Sequence, residues 1–422
     1  MPRVSAPVPS PRRWWAGPLD VEQLAWGAVE DARDAVQALV DARGQGWRVG
    51  TSPELVAASF AAIEHLRVVG EPVASWAPMS GFVRAVDGWV RTHANYPHHA
   101  AALGRALGAT DRASLERAVA GRTALDVEEA VHDAGGIAVA VRRATQWAAH
   151  PQGVATSGEP WVSVDAGRER APLSGGALPL DGVRVLDLTR VIAGPAGSQL
   201  MACLGADVLR IDPPARPEID AQFLSNGMGK RSATADLAEH RTELEALLAG
   251  ADVVLLGYRP GSLDRFGLGP DALAQRHPHL VVGSLSAWGE RGPWARRAGF
   301  DSIVQAASGV ALACSPDDGA TPGALPVQAL DHATGYALAA GVVRLLVEGR
   351  AGVVWASLLG AARTLLGFAA PPEERVAELG VPHVTVRSAA GTLNTVPPPL
   401  TLDGASVERD VAGYGAASLR WA

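Results

Sequence analysis

The sequence is poor in the features that would place it in several large classes of protein. Only two of its 422 residues are cysteine, Cys203 and Cys314. Two thiols cannot build a disulfide framework or a four-sulfur metal site, and both sit among small or apolar neighbours, as buried reduced thiols do. The longest apolar stretches are broken by Arg344 and Arg363, well short of the ~20 residues a membrane span requires. The opening segment, MPRVSAPVPSPRRWW, has Arg and Pro but no apolar centre, so it lacks the pattern of a secretory signal. No run of Lys and Arg stands out, and 37 basic against 44 acidic side chains give a net charge of −7. That argues against nucleic acid or an anionic membrane as the main partner. No solenoid-like repeat is evident. These absences predict a cytoplasmic protein with no bound metal. A polyanionic small molecule stays compatible with the charge, because its site needs only a few local cations.

What is present is enzyme-like: 48% hydrophobic and 19% charged residues, in a chain long enough for two domains. Residues 1–67 read as a helical region, with apolar side chains at three-and-four spacing over 19–43 and 53–67 and a Thr51/Ser52 cap before Pro53. Residues 68–150 read as a small α+β domain: a hairpin turning at Asp87-Gly88, helices near 97–108 and 111–120, a helix stopped by Gly135-Gly136, then a short strand, IAVAVR. Residues 151–178, rich in Gly, Pro and Ser, read as a linker. From 179 to 350 strand and helix alternate, GVRVLDLT, GPAGSQLMACLG, ADVLRID, TELEALLAGA, DVVLLGY, GPDALAQRHP and LVVGSLSAWG. That alternation predicts an α/β fold with a doubly wound, mostly parallel Rossmann-like sheet. Residues 351–422 read as an apolar helix, VVWASLLGAARTLLG, followed by a Pro-rich tail.

Ligands of such sheets collect at the carboxyl ends of the strands, which nominates four places. TRVIAGPAG puts Arg190, Ala193 and Gly194 at a helix start, where the dipole favours an anion; it is not the dinucleotide fingerprint, since Gly194 and Gly197 are three apart. SNGMGKRS sets Lys230 and Arg231 in a Gly-containing loop, either as a solvated surface or as phosphate contacts. In LLGYRPGSLDRFGLG, Tyr258 could stack on a base while Arg259 or Arg265 holds phosphate. The fourth is Asp331, the only carboxylate of PVQALDHATGYALAAG. It either caps the helix that follows or presents a nucleophile to an acyl carbon, with His332 beside it.

Five blocks in order, PLDGVRVLDLTRVIAGPAGSQLMACLGADVLRID, NGMGKRSATADL, ADVVLLGYRPGSLDRFGLG, WGERGPWARRAGFDSIVQAASG and PVQALDHATG, resemble the class III CoA-transferases. That family includes formyl-CoA transferase and alpha-methylacyl-CoA racemase. The resemblance covers roughly residues 179 to 365. It implies that Asp331 attacks an acyl-CoA thioester to form a mixed anhydride, that the CoA thiolate returns to give an aspartyl thioester, and that a carboxylic acid then takes over the CoA. It implies that the loops of Arg190, Lys230–Arg231 and Tyr258–Arg265 hold the CoA phosphates and adenine, with coenzyme A thioester as substrate and no permanently bound cofactor. A homodimer, with interlocked protomers, is the assembly it implies.

The N-terminal third resembles the family's small domain, which ordinarily follows the sheet domain, so the chain reads as a circular permutation or a fusion. There are departures. Where the family's racemases have His before Asp301, this sequence has Phe300, which removes a base and sets racemase below transferase. Gly257 and Gly360 replace an Asn and an Asp, and the Gly-rich loop of formyl-CoA transferase has no clear counterpart. The alternatives are therefore an acyl-CoA racemase or epimerase, or a CoA-binding subunit without turnover.

Overall fold

In the computed structural model, residues 6–74, 76–173 and 175–422 are described. A seven-stranded sheet forms the centre. Its strands, labelled in chain order, are β1 (Val162–Glu169), β2 (Arg184–Leu188), β3 (Asp207–Asp212), β4 (Arg231–Thr234), β5 (Val253–Leu256), β6 (Val281–Ser286) and β7 (Arg350–Ser357). They lie in the order β4-β3-β2-β5-β6-β7-β1. Every neighbouring pair is parallel except β7 with β1. Strands covered on both faces must be apolar throughout, and β5, VVLL, is buried at all four positions. Edge strand β1 buries only its first residue, Val162.

Five helices matter for the site: α1 (Val21–Ala42), α2 (Ala193–Cys203), α3 (Asp301–Ser308), α4 (Ala329–Val347) and α5 (Leu358–Leu366). Helix α4 lies against β6 and β7, with α2 beside it and α1 over its outer side. All of α4 is buried except Arg344 and Val347, which explains a sequence that is apolar all round rather than on one stripe. Arg344 reaches out to Asp31 on α1, with Nη2 to Oδ1 at 2.6 Å and Nη1 to Oδ2 at 3.0 Å. The opposite sheet face is covered by helices Arg241–Gly250 and Pro270–Arg276 and by Trp421 near the C-terminus.

The small domain has its own core of Val83, Val90, Leu103, Leu115, Val127 and Val131. Strands Gly81–Arg84 and Trp89–Thr92 form the expected hairpin, joined by Ala138–Ala140, and the helices are Pro97–Leu107, Arg112–Ala120 and Ala124–Asp133.

Four readings of the sequence change. The 151–178 stretch is not all linker: it holds helix Pro151–Thr156 and strand β1, whose half-exposed edge position gives it a polar composition. The apolar run after 350 begins as a strand, β7, before turning into helix α5 at Leu358. The tail contains the hairpin Val384–Ser388/Gly391–Thr395, whose second strand pairs with Arg67–Val68. The first helix of the 53–67 region stops at Phe60, with Ser52 as its cap. Among the described residues no helix is long and apolar enough to cross a membrane.

Candidate active site

The carboxyl ends of β2, β5 and β6 open onto one cavity of about 430 Å³. Its lining draws Arg190 and Val191 from the turn after β2, Tyr258 and Arg259 from the turn after β5, and Ala287 and Trp288 from the turn after β6. The small domain closes the far wall with Tyr96, His98 and His99. Exposed Arg216 and Arg259 mark the solvent side, and neither makes an ion pair among the described residues. Asp331, 6% exposed, stands at the buried end.

Asp331 is not the cap of its helix. It is the third residue of α4, where its backbone N–H donates to Asp301 Oδ2 at 3.0 Å. Asp301, fully buried on α3, does the capping from outside the helix, and Gln305 donates to its other oxygen. The Asp331 carboxylate is thereby released from capping, and no hydrogen bond to it is made among the described residues. Burial, and then the negative charge of Asp301, hold its pKa well above the ordinary carboxylate range. Asp301 is itself pushed up to about 6 by burial, against the pull of Gln305 and of the backbone N–H groups of Asp331 and Leu330. Asp301, with its extra donors, ionises first, and Asp331 is the more basic of the two.

Two glycines set this carboxylate against the first turn of α2. A Cβ on Gly335 would overlap the Ala193 carbonyl oxygen, and one on Gly197 would lie 2.6 Å from the Gly335 oxygen. The glycines therefore serve helix-to-helix approach and not anion contact: Ala193 lines the cavity, whereas Gly194 is packed against Thr189.

Val191 adopts φ 67°, a strained region for a β-branched residue. Both of its peptide groups are held, the N–H by Glu218 Oε2 at 2.9 Å and the carbonyl by Asn226 Nδ2 at 3.3 Å. Glu218 also accepts from Arg210 at 2.6 Å and from Tyr96. Burial opposes its charge, but Arg210 and Arg190 hold it ionised with a pKa of about 2.

Beyond Val191 lies a second cavity of about 530 Å³, which shares Asp331 with the first. Its walls come from Phe60 and Ile63 in the N-terminal region, Arg91, His93 and Asn95 in the small domain, and Gln328 and His332 around the start of α4. His332 packs at a tilt against Phe60 and stacks on Tyr336, and burial drives its pKa to about 3. It is a neutral wall residue, not an acid or base matched to physiological pH.

Three expected phosphate ligands are placed elsewhere. Lys230, the sole lysine of the chain, is buried beneath α2, donating to Pro195 O at 2.8 Å and pairing with Asp187 at 3.3 Å. Burial, partly offset by Asp187, lowers it to about 8. Arg231 begins strand β4 and pairs with Asp207 at 2.8 Å. Arg265 lies over the Phe266 ring, 4.6 Å from its centroid, outside the cavity. Arg190 does line the cavity, but its guanidinium also faces Glu218 at 3.6 Å and Tyr96 at 4.8 Å. The cations the sequence reading missed are Arg216 and Arg297 at the first cavity and Arg91 at the second. No local motif announces them, since Arg216 follows a Pro-rich turn and Arg91 lies within a short strand.

Comparison with known proteins places the chain in a family. The model of CoA-transferase family III matches residues 180–393. A probable fatty acyl-CoA transferase of Mycobacterium tuberculosis is 38% identical over 192 residues, 42% of this chain and 48% of that protein. The succinyl-CoA:glutarate CoA-transferase of Mus musculus is 35% identical over 191 residues, 41% of this chain and 43% of that one. Among solved structures, the M. tuberculosis protein aligns with TM-score 0.42 over 45% of this chain and 56% of that chain. A CAIB/BAIF family protein from Brucella suis aligns with TM-score 0.39 and 28% identity over 51% of this chain and 65% of that one. The chain thus spans about half the length of the curated relatives it matches. With the family match over half of its residues, the chain belongs to CoA-transferase family III.

Proposed function

We propose that this protein transfers CoA from an acyl-CoA thioester to a free carboxylic acid, with Asp331 as the covalent nucleophile. The observation that carries this reading is a carboxylate relieved of capping, accepting no hydrogen bond among the described residues, and facing two cavities at once. One cavity is rimmed by arginines and suits the phosphates of CoA; the other would hold the acyl group or the acid.

In this scheme an Asp331 oxygen attacks the thioester carbonyl carbon, the C–S bond breaks, and CoA leaves as thiolate, giving an aspartyl–acyl anhydride. The thiolate returns to the aspartyl carbonyl, releasing the first acid as carboxylate and forming an aspartyl-CoA thioester. The incoming carboxylate attacks that thioester to make a second anhydride and free thiolate. Thiolate attack on the new acyl carbon then yields the product thioester and regenerates the Asp331 carboxylate. No water enters, so the thioester's free energy is retained, and burial of Asp331 serves to keep water from the anhydride. Burial and Asp301 contribute by making the ionised Asp331 more basic, hence more nucleophilic. Arg216, Arg259 and Arg297 would hold phosphate, with Tyr258 along the wall.

Racemisation fits less well. The imidazoles lining the second cavity, His93 and His332, are both driven to about 3 by burial, which makes them weak bases toward an α-proton. We also propose that the chain is a permuted member of its family, cytoplasmic and homodimeric, the last testable by light scattering on the purified protein. The direct test of function is exchange of isotopically labelled CoA between a panel of thioesters and free acids. The reading requires exchange that Asp331→Ala abolishes; deuterium uptake at the α-carbon without exchange would replace it with racemase.

A further inference from the structure

The second cavity contains a cation that the transfer chemistry does not use. Arg91, on strand Trp89–Thr92 of the small domain, projects between two aromatic faces, its guanidinium carbon 4.9 Å from the ring centroids of both Trp76 and Phe82. It makes no ion pair or hydrogen bond among the described residues, and its Nε is buried without a partner. The side chain is half-buried, with Asp301 acting on it only through space, and a guanidinium so placed gains from an anion that a ligand supplies. Beside it, Asn95 accepts at Oδ1 from the Ala77 N–H at 3.0 Å and from the Ser80 hydroxyl at 2.7 Å. That fixes the orientation of the amide and leaves its NH2 group without an acceptor among the described residues. Arg91 and Asn95 thus bring free donors to a chamber whose other landmark is the Asp331 carboxylate.

We infer that this chamber is an anion subsite for the far end of the substrate: the acid that exchanges CoA at Asp331 is a dicarboxylic acid, or its CoA half-thioester, whose second carboxylate is held by Arg91 with Asn95 assisting. The inference rests on the transferase reading for the reacting end, but the subsite itself is a matter of binding. A planar guanidinium clamped between rings is pre-set to grip a carboxylate through two parallel N–H···O bonds. Dispersion contacts with Trp76 and Phe82 alone do not explain the placement, since an apolar side chain would make them without the desolvation cost. The chamber's volume is within the range of small-molecule sites.

The test is ligand-observed NMR titration of the full chain, without CoA, using diacids of three to six carbons and the matching monoacids, for example glutarate and valerate. In the unmodified protein at least one diacid binds about 10-fold or more tighter than its monoacid. Arg91→Met weakens that diacid by about 10- to 100-fold, the loss of a charge-assisted pair, and changes the monoacid less than about 2-fold. Arg91→Lys, which keeps the charge but not the fork, retains part of the preference. The proposal is overturned if diacids and monoacids bind alike, if Arg91→Met weakens both equally, or if it leaves the diacid unaffected. Repeating the comparison with glutaryl-CoA and valeryl-CoA shows whether the subsite that binds the free diacid also holds the second carboxylate of the thioester. Arg91-dependent diacid binding without CoA exchange would leave the subsite standing and remove the transferase reading. CoA exchange that ignores the second carboxylate would do the reverse.

Discussion

Replacing Gly197 with alanine puts two physical effects in opposition, and the structure says which should win. Inside a helix, Gly→Ala ordinarily stabilises by roughly 0.5–1 kcal/mol. Here the new Cβ would lie 2.6 Å from the Gly335 oxygen on α4, against a floor of 3.0 Å for such contacts. Helices α2 and α4 must then separate by about 0.4 Å to reach the tightest tolerated contact, and by about twice that for an ordinary one. Overpacking of this kind costs about 1–3 kcal/mol, which exceeds the propensity gain. The displaced surface includes Ala193 and the turn facing Asp331, four residues from Gly335 on the same helix. Since a misplacement of about 1 Å can cost ~10²-fold in rate, Gly197→Ala should lose about 10-fold in kcat. Urea denaturation and initial rates of CoA exchange read the two effects separately. Gly335→Ala, whose Cβ would overlap the Ala193 oxygen, should be worse on both counts. A Gly197→Ala protein that is more stable than its parent and equally active would refute the argument that helix approach places the nucleophile.

Other expectations follow from the charges. Asp301 and Asp331 both have folded-state pKa values above those of the unfolded chain, so folding takes up protons and stability falls as pH rises. For Asp301 that penalty is absent below its ordinary 3.8 and complete above about 6. Asp301→Asn, which can still cap α4, should therefore be more stable than the parent at pH 7, by about 1–3 kcal/mol, and equal to it at pH 3.5. The acid limb of its activity profile should move to lower pH, because Asp331 ionises more readily without a neighbouring anion. Arg216→Ala and Arg259→Ala should raise the KM for acyl-CoA about 10-fold each with little change in kcat, the signature of phosphate binding away from the reacting atoms; a fall in kcat at unchanged KM would contradict it. Lys230→Met leaves buried Asp187 with only its Thr189 and Ser198 donors, and should cost about 3 kcal/mol in denaturation without altering the KM for CoA.

The sheet was legible because its strands are covered on both faces and so read as unbroken apolar runs, as in VVLL at 253–256. What escaped were the elements at its edges. Strand β1 exposes most of its side chains, and β4, RSAT, is short and polar, so neither carries a periodicity to read. Asp331 was legible as an isolated charge before an apolar helix, but the sequence could not separate cap from nucleophile. The answer lay 30 residues upstream in Asp301, whose reach across to the Asp331 N–H is a tertiary contact. Lys230 and Arg231 show the converse error: adjacent cations suggested phosphate, whereas their partners Asp187 and Asp207 come from neighbouring strands β2 and β3. Arg91 and Arg216 were invisible, because a single arginine in a strand or loop says nothing about the cavity it lines.

The central claim is that the Asp331 carboxylate takes the acyl group. Incubating the full chain with an acyl-CoA, quenching with hydroxylamine and mapping peptides by mass spectrometry measures this directly. The account predicts a hydroxamate at Asp331 that forms only with thioester present and disappears in Asp331→Asn. An adduct at another residue, or exchange of CoA that proceeds undiminished in Asp331→Asn, would contradict it.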